Sequence, residues 1–425
     1  MRVKIGKGIA RGTVQAPPSK SMAHRFLICA GLADGTSVIH GISPSEDVLA
    51  TIDCLQALGI RCELEKDTAV VYGRELNELC RDTAADKKTD EAQGQEISEN
   101  PVRTLMCRES GSTLRFFIPI CLAAGGKTAF CGSGRLMERP QSVYRKICEE
   151  QQIFFRQDET GILTEGRLKA GNFSLAGNIS SQFISGLLFA LPQLEADSTI
   201  RIQPPVESRS YIEMTLSALA AFGIEAGWKD ENVLYVKGGQ KFMPQELAVE
   251  GDYSNAAFFE ALNVIGGQVS IGNLNENSLQ GDRVYRSFFE DLKQKKKTEI
   301  NISDCPDLGP ILFAVAAAVG GGTFSGCKRL KIKESNRGEV MASELKKFGV
   351  KAHVGEDEVI VEGTCIHPPE TILDGHNDHR IVMSCAVLLT LTGGEIQGAE
   401  AVTKSFPDFF EKLTSLGIEV TKIED

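Results

Sequence analysis

A sixfold repeat is the feature that most constrains the fold of this chain. Each copy begins with a short polar motif, continues with an apolar run, and ends in a Gly-rich or small polar turn. The six copies are Ser19–Thr36, Ser110–Thr128, Ser180–Thr199, Gly251–Gly267, Asp304–Thr323 and Asn377–Gly394. A repeated unit of this kind buries its apolar face against its neighbours. The chain is therefore predicted to fold as an assembly of similar units.

The apolar runs predict six buried helices, because they are long enough for a helix and mostly lack the alternation of a strand. Their openings carry Ser, Asp or Asn, which suit helix N-caps. A more amphipathic helix is predicted after each run, at Asp47–Leu58, Ser142–Gln151, Tyr211–Phe222, Arg283–Lys293, Arg337–Phe348 and Pro407–Leu416. Four of these end in Gly followed by Ile or Val, a pattern typical of a helix C-cap before a strand. The predicted unit is strand–helix–strand–helix–strand(s).

Size and charge limit the classes of function. With 425 residues, the chain is long enough for two to three domains. Its net charge of −11 argues against nucleic-acid and anionic-membrane partners. The apolar stretches Ile311–Val319 and Ile381–Leu391 are too short to span a bilayer. The segment 81–100 is highly charged and is predicted to be an exposed, mobile insertion.

Cysteine usage and the N-terminal sequence indicate a cytoplasmic location. The 12 cysteines include no CxxC pair and no Cys/His cluster with zinc spacing, so reduced thiols and no metal are predicted. The first residues, MRVKIGKGIARG, lack the apolar core of a signal peptide.

The polar motifs predict an anion site. Six helix N-termini provide partial positive charge, and they form an anion site if they converge. Lys20 and Arg25 lie near the first of them, and Gly111 would let a ligand approach the backbone of the second. Asp307 and Glu334 add two carboxylates among many cations. That combination suits general acid–base chemistry on an anionic substrate.

Ten motifs together resemble the 3-phosphoshikimate 1-carboxyvinyltransferase family of enolpyruvyl transferases, whose members are also called 5-enolpyruvylshikimate-3-phosphate synthases. They run in the family order over nearly the whole chain. The motifs are Pro18-Ser19-Lys20-Ser21 with Arg25, Gly111-Ser112 with Arg115, Leu136 with Arg139-Pro140, Ser180-Ser181-Gln182, Ser208 with Tyr211, Gly251-Asp252 with Ser254, Pro306-Asp307, Lys333-Glu334-Ser335 with Arg337, Asp378-His379-Arg380, and Lys404-Ser405-Phe406-Pro407.

The resemblance implies an α/β (α+β) fold of two domains, an inside-out α/β barrel. Each domain would hold three βαβαββ units with buried helices, and the active site would lie in the cleft between the domains. Residues 1–17 and 240–425 would form the domain on the phosphoenolpyruvate side, with the catalytic acid and base. Residues 18–239 would form the domain that binds mainly shikimate 3-phosphate.

The resemblance also implies the reaction. The carboxyvinyl group of phosphoenolpyruvate would pass to the 5-hydroxyl of shikimate 3-phosphate through a tetrahedral intermediate, with release of phosphate, in chorismate and aromatic amino acid biosynthesis. No cofactor is expected, and the enzyme would be a monomer. Asp307 would be the base for the 5-hydroxyl and Glu334 the acid for the methylene carbon, while Lys20 would contact the reacting phosphoenolpyruvate.

The binding residues are likewise implied by the resemblance. Those for shikimate 3-phosphate are Lys20, Ser21, Arg25, Ser180, Ser181, Gln182, Ser208, Tyr211, Asp307 and Lys333. Those for phosphoenolpyruvate are Lys20, Gly111, Arg139, Gln182, Arg337, Arg380 and Lys404. Asp378 and His379 would support the site.

The sequence departs from the family pattern at two positions. The family usually has Asn in place of Glu109 and Asp in place of Asn336.

Three alternative functions compete with the one that this resemblance implies. A UDP-N-acetylglucosamine enolpyruvyl transferase is the nearest alternative, but that family carries a reactive Cys in a mobile loop. The corresponding loop here, near Ser133–Arg139, has none, and Cys131 is the nearest. A non-catalytic anion-binding homologue and a purely structural solenoid are the other two.

Overall fold

The computed structural model describes residues 1–79, 102–294, 299–363 and 365–423, so the predicted insertion at 81–100 lies outside the described residues. The chain forms two compact units. The first unit consists of Met1–Ser19 and Glu250–Asp425, and the second unit of Lys20–Val249.

Three four-stranded sheets form the frame of the second unit. In strand order they are Glu246–Ala248, Gly35–His40, Thr68–Gly73 and Arg61–Glu65; Val102–Met106, Lys127–Cys131, Gly161–Glu165 and Phe154–Asp158; and Asn172–Ala176, Ser198–Gln203, Val233–Val236 and Ala226–Asp230. In each sheet the first two strands are parallel and the other pairings antiparallel. Identical pairing in all three sheets is the structural form of the sequence repeat.

Buried helices fill the core of the second unit. They are Lys20–Leu32, Gly111–Ala124 and Ser181–Ala190, and the other helices among the described residues are Glu46–Ala57, Leu76–Leu79, Ser142–Glu150 and Arg209–Ala221. Gly186 lets two of the core helices approach closely, since a Cβ there would lie 2.4 Å from the carbonyl oxygen of Arg115. The apolar runs are therefore buried on nearly all sides, as predicted.

The first unit repeats this plan. Its four-stranded sheets are, in strand order, Glu299–Asn301, Gly321–Ser325, Glu358–Glu362 and Ala352–Val354; and Leu373–Asp374, Gly394–Gln397, Arg2–Ile5 and Val420–Ile423. A third sheet holds two parallel strands, Gln268–Gly272 and Arg11–Gln15. The N-terminal strand Arg2–Ile5 thus lies between two strands from the end of the sequence.

Three buried helices also fill the core of the first unit. They are Tyr253–Val264, Gly309–Val319 and His379–Thr392, and the remaining helices are Tyr285–Lys293, Arg337–Lys347 and Phe409–Ser415. Residues Gly309–Ala317 and His379–Thr390 are buried without a break. Together with the second unit, this arrangement confirms the predicted α/β fold of repeated units with buried helices. None of the described helices combines the length and the apolar character that a membrane span requires.

The unit boundaries differ from the predicted ones. Glu246–Ala248 pairs in parallel with Val38–His40, which keeps residues 240–249 in the second unit. At the other boundary, the Ser19 backbone N–H donates to the carbonyl oxygen of Glu250 at 2.7 Å, which holds Ser19 in the first unit. Strand pairing and backbone hydrogen bonds, rather than the position of a motif, decide where each unit ends.

Candidate active site

Lys20 begins the first buried helix of the second unit and is paired with an acid. Its Nζ lies 2.7 Å from Oδ2 of Asp47, which belongs to the helix Glu46–Ala57. Both side chains are largely buried. Asp47 was not predicted as a site residue, because it is 27 residues from Lys20 and only the fold brings the two together.

The Arg25 guanidinium is anchored by groups from two helices. Its Nε donates to Oγ1 of Thr215 at 2.9 Å, its Nη2 to the carbonyl oxygen of Tyr211 at 2.9 Å, and its Nη1 to that of Ser21 at 2.7 Å. Burial lowers the pKa of Arg25 to about 10, so the side chain stays charged at neutral pH. Ser21, Arg25 and Tyr211, which were predicted to bind one substrate, therefore lie together.

Gln182 has a defined orientation in the second unit. Its Oε1 accepts a hydrogen bond from Nη1 of Arg115 at 2.7 Å, and its Nε2 donates to Oγ of Ser112 at 2.9 Å. A Cβ on Gly111 would lie 2.7 Å from Nη1 of Arg139 and 3.8 Å from Oε1 of Gln182. Gly111, Arg139 and Gln182, all predicted to bind phosphoenolpyruvate, thus lie together, and Arg115, for which no role was predicted, lies beside them.

Three serines lie at the starts of helices. Ser180 caps the helix Ser181–Ala190, where its Oγ accepts a hydrogen bond from the backbone N–H of Gln182 at 3.3 Å. Ser208 stands before the helix Arg209–Ala221 in a left-handed conformation, with φ of 55°. The predicted phosphate ligands Ser180, Ser181 and Ser208 are therefore hydroxyl groups at helix N-termini, where backbone N–H groups and the helix dipole favour an anion.

Arg337 is the centre of the polar cluster of the first unit. It is 1% exposed and contacts three carboxylates. Its Nη1 donates to Oδ1 of Asp307 at 2.8 Å and its Nη2 to Oε2 of Glu334 at 2.7 Å. Its Nε donates to Oδ2 of Asp378 at 2.9 Å. The predicted base and the predicted acid are thus held by one guanidinium.

Asp307 lies among three cations. Oδ1 is 3.0 Å from Nζ of Lys333 and 2.8 Å from Nη1 of Arg337, and Oδ2 is 3.3 Å from Nη2 of Arg380. Burial alone would raise the pKa of Asp307, but Arg380, Lys333 and Arg337 outweigh it and hold the pKa well below its ordinary value. Burial also lowers the pKa of Lys333, against the opposing effect of Asp307.

The remaining predicted residues of the first unit surround this cluster. Asp378 caps the helix His379–Thr392, where its side chain accepts from the backbone N–H of Arg380 at 3.0 Å. His379 is buried behind it, with Nδ1 3.9 Å from Oδ1 of Asp378. Lys404 is buried as well, and its Nζ donates to the carbonyl oxygen of Asn377 at 2.6 Å.

The two departures from the family pattern occupy different environments. The Glu109 carboxylate lies against the loop at Gly134, where an added Cβ would be 2.7 Å from it. Asn336 is the N-cap residue of the helix Arg337–Lys347, and its side chain makes no capping hydrogen bond. Within the described part of the chain, no group of three or more His, Cys, Asp or Glu is placed to hold a metal ion.

Comparison with known proteins identifies the family. The model of EPSP synthase (3-phosphoshikimate 1-carboxyvinyltransferase) matches residues 5–413. A 3-phosphoshikimate 1-carboxyvinyltransferase of Clostridium beijerinckii is 38% identical over 98% of this chain and 97% of its own length. One from Clostridioides difficile is 37% identical over 98% of this chain and 97% of its own length.

Solved structures support the same fold. EPSP synthase from Acinetobacter baumannii has a TM-score of 0.75 at 24% identity and covers 99% of this chain and 100% of its own. The enolpyruvyl transferase NikO from Streptomyces tendae has a TM-score of 0.74 at 14% identity, over 99% of this chain and 98% of its own. At such identities the likeness concerns the fold alone. The family match and the curated relatives, both spanning nearly the whole sequence, show that the chain belongs to the EPSP synthase (3-phosphoshikimate 1-carboxyvinyltransferase) family.

Proposed function

We propose that this chain transfers the carboxyvinyl group of phosphoenolpyruvate to the 5-hydroxyl of shikimate 3-phosphate and releases phosphate, a step of aromatic amino acid biosynthesis. The residues around Arg25, Gln182 and Ser180 bind mainly shikimate 3-phosphate. The residues around Arg337 bind mainly phosphoenolpyruvate and carry the catalytic acid and base.

The observation that carries the proposal is the arrangement of acids around Arg337. Its Nη1 and Nη2 hold Asp307 and Glu334 at 2.8 and 2.7 Å, so two carboxylates are kept close together in a strongly cationic setting. A transfer between two anionic substrates that both takes up and gives up a proton needs such a pair, together with cations for the phosphate and carboxylate groups.

The reaction follows from these groups. Glu334 donates a proton to C3 of phosphoenolpyruvate, which makes C2 electron-poor, and the 5-hydroxyl attacks C2 as Asp307 accepts its proton. The resulting tetrahedral ketal phosphate then returns a proton from C3 to Glu334, and phosphate leaves with the proton from Asp307, which restores the double bond and both carboxyl groups. Lys20 and Arg380 balance the negative charge of the phosphate and carboxylate in both steps.

Asp307 becomes a better base when the substrates bind. Lys333, Arg337 and Arg380 keep its pKa low in the substrate-free protein, so it holds a proton poorly there. A substrate phosphate or carboxylate that draws on the same cations weakens their hold on Asp307 and raises its pKa. Substrate binding therefore prepares the base for the step that follows.

Phosphate release tests the proposed activity. We expect release only when the protein, phosphoenolpyruvate and shikimate 3-phosphate are all present, and none when UDP-N-acetylglucosamine replaces the shikimate ester. Asp307→Asn and Glu334→Gln keep the shape of each side chain and should lower kcat by a factor of about 100–10,000, the usual contribution of general acid–base groups. Glu339→Ala, on the exposed face of the helix that begins at Arg337, is the matched control and should be near wild type. Near-normal rates for either acid variant would contradict its role.

A cytoplasmic monomer is also part of the proposal. The described cysteines are free thiols, and most are buried, which suits a reducing compartment. Sedimentation of the purified protein near 46.1 kDa is the expected result, and a stable dimer would contradict it.

A further inference from the structure

Asp282 is a buried acid for which the proposed chemistry has no role. It lies in the short turn Gly281–Val284 of the first unit and is 2% exposed. Gln280, the residue just before this turn, holds the turn in place. Its Nε2 donates to the carbonyl oxygen of Gly251 at 2.8 Å, and its Oε1 accepts from the backbone N–H of Tyr253 at 3.0 Å. The backbone that carries Asp282 is therefore well defined.

The Asp282 carboxyl accepts few hydrogen bonds from its neighbours. Oδ2 accepts from Oγ of Ser254, while Oδ1 is buried and receives no hydrogen bond from the described residues. Asp307, in contrast, is contacted by three cationic side chains. A buried carboxylate with a single neutral donor is poorly stabilised as an anion, so the geometry favours the protonated form of Asp282.

The surroundings of Asp282 act in the same direction. The charged and titratable groups around it are Asp307, Arg380, Asp252 and Cys305. Burial, followed by the negative charge of Asp307, raises the pKa of Asp282 to about 6, against the opposing effects of Arg380 and the Ser254 hydrogen bond. The carboxyl is thus close to titration at neutral pH, and a small change in nearby charge alters its proton occupancy.

We propose that Asp282 takes up a proton when an anionic substrate engages Arg380, so that it is neutral in the loaded site and adds no negative charge near the bound anion. This inference rests on the proposed function, in which Arg380 binds phosphoenolpyruvate. Neutral Asp282 leaves Asp307 as the carboxylate that competes with the substrate for Arg380. Ionised Asp282 adds a second negative charge in a poorly solvated region, which weakens the binding of an anion.

Asp282→Asn tests the proposal, because Asn has nearly the same shape and cannot titrate. The measurement is the KM for phosphoenolpyruvate, at saturating shikimate 3-phosphate, from pH 5 to 8.5. The slope of log KM against pH counts the protons taken up on binding. The substrate phosphate also titrates near pH 6, but its effect is common to both enzymes and cancels in the comparison.

The expected difference between the two enzymes is large enough to measure. If binding raises the pKa by roughly one unit from about 6, the protonated fraction at pH 6.5 rises from about a quarter to about three quarters. The slope for wild type then exceeds that for Asp282→Asn by about half a proton near pH 6.5. At pH 8 the variant should have a KM about tenfold lower than wild type, and at pH 5 the two should agree.

Two further variants keep the test decisive. Asp291→Asn removes an exposed acid from the next helix, Tyr285–Lys293, and should follow the wild-type profile. Ser254→Ala removes the hydroxyl donor to Asp282, so the pH profile of its KM should lie at higher pH than that of wild type. If Asp282→Asn does not fold, a Ser254→Ala profile identical to that of wild type overturns the inference. Equal slopes for wild type and Asp282→Asn also overturn it, as does a raised KM for Asp282→Asn at pH 8. Absence of turnover by the wild-type protein would instead overturn the proposed function.

Discussion

Arg337→Met should strongly destabilise the first unit, since it removes a buried charge while keeping a side chain of similar length. Asp378, which is 0% exposed, loses the hydrogen bonds from Nε at 2.9 Å and Nη2 at 3.3 Å. It keeps Oγ of Ser335 at 2.9 Å and the backbone N–H of Arg380 at 3.0 Å. These two remaining donors are neutral and do not replace the charge of the guanidinium, so the buried carboxylate loses its cation.

The size of the effect follows from this burial. Breaking a buried ion pair by removing one partner costs about 3–5 kcal/mol of unfolding free energy. Asp307 and Glu334 have side chains that are 23% and 14% exposed. Both can recover part of their hydration, so they should add little to the loss of unfolding free energy. For a unit of this size, each kcal/mol lowers the unfolding midpoint by about 2–4 °C, so the expected decrease is roughly 6–20 °C.

Differential scanning calorimetry of four variants tests this reasoning. Lys412→Met removes one partner of an exposed pair with Asp408 and should change the midpoint by no more than about 2 °C. Asp378→Asn should destabilise the unit by itself, whereas Arg337→Met with Asp378→Asn should cost clearly less than the sum of the two single changes. A decrease below 2 °C for Arg337→Met, or strict additivity in the double variant, would refute the assignment of an uncompensated charge.

Three further outcomes follow from other contacts. Gly111→Ala places a Cβ 2.7 Å from Nη1 of Arg139. The KM for phosphoenolpyruvate should therefore rise about tenfold, which corresponds to the loss of one charged hydrogen bond. An unchanged KM would show that the two residues do not share a site. The hydrogen bond that His376 donates to the Glu344 carboxylate raises the pKa of His376 above 6.5, so the stabilisation from this pair is complete below pH 6.5 and is lost as pH rises through the raised pKa. The difference in unfolding midpoint between wild type and His376→Gln should therefore shrink between pH 6 and 8.5, and a constant difference would argue against the pair. Cys131→Ser should keep turnover within about twofold, whereas a large loss would favour an enzyme with a reactive cysteine.

The helices could be predicted because their signal is local. An apolar run such as Gly309–Val319 is buried on almost every side, so it needs no information about its neighbours to be recognised. The N-caps Ser110 and Ser180 were likewise visible, since each accepts a hydrogen bond from an N–H two or three residues ahead. Both signals arise within one short, continuous stretch of the chain, which is why sequence alone conveys them.

The partners of the charged residues could not be predicted in this way. Lys20 contacts Asp47, and Arg337 contacts Asp378, across 27 and 41 residues. Such pairs depend on which helices pack together, and the repeat does not contain that information. Asp282 follows Gln280 and Gly281 in a stretch that reads as an ordinary loop, and only its burial beside Ser254 sets it apart. The unit boundary near Val249 differs from the predicted one at residue 240 for a related reason, since a three-residue strand decides it.

The position of Arg2–Ile5 between Gly394–Gln397 and Val420–Ile423 has a consequence for synthesis on the ribosome. Arg2–Ile5 leaves the ribosome long before the two strands that pair with it, whereas Lys20–Val249 contains all the described strands of its own three sheets and can mature while translation continues. Until those later strands emerge, Arg2–Ile5 remains a solvated strand without its neighbours. Its alternating charges, Arg2 and Lys4, are the kind of gatekeepers that discourage such an exposed ribbon from joining another nascent chain.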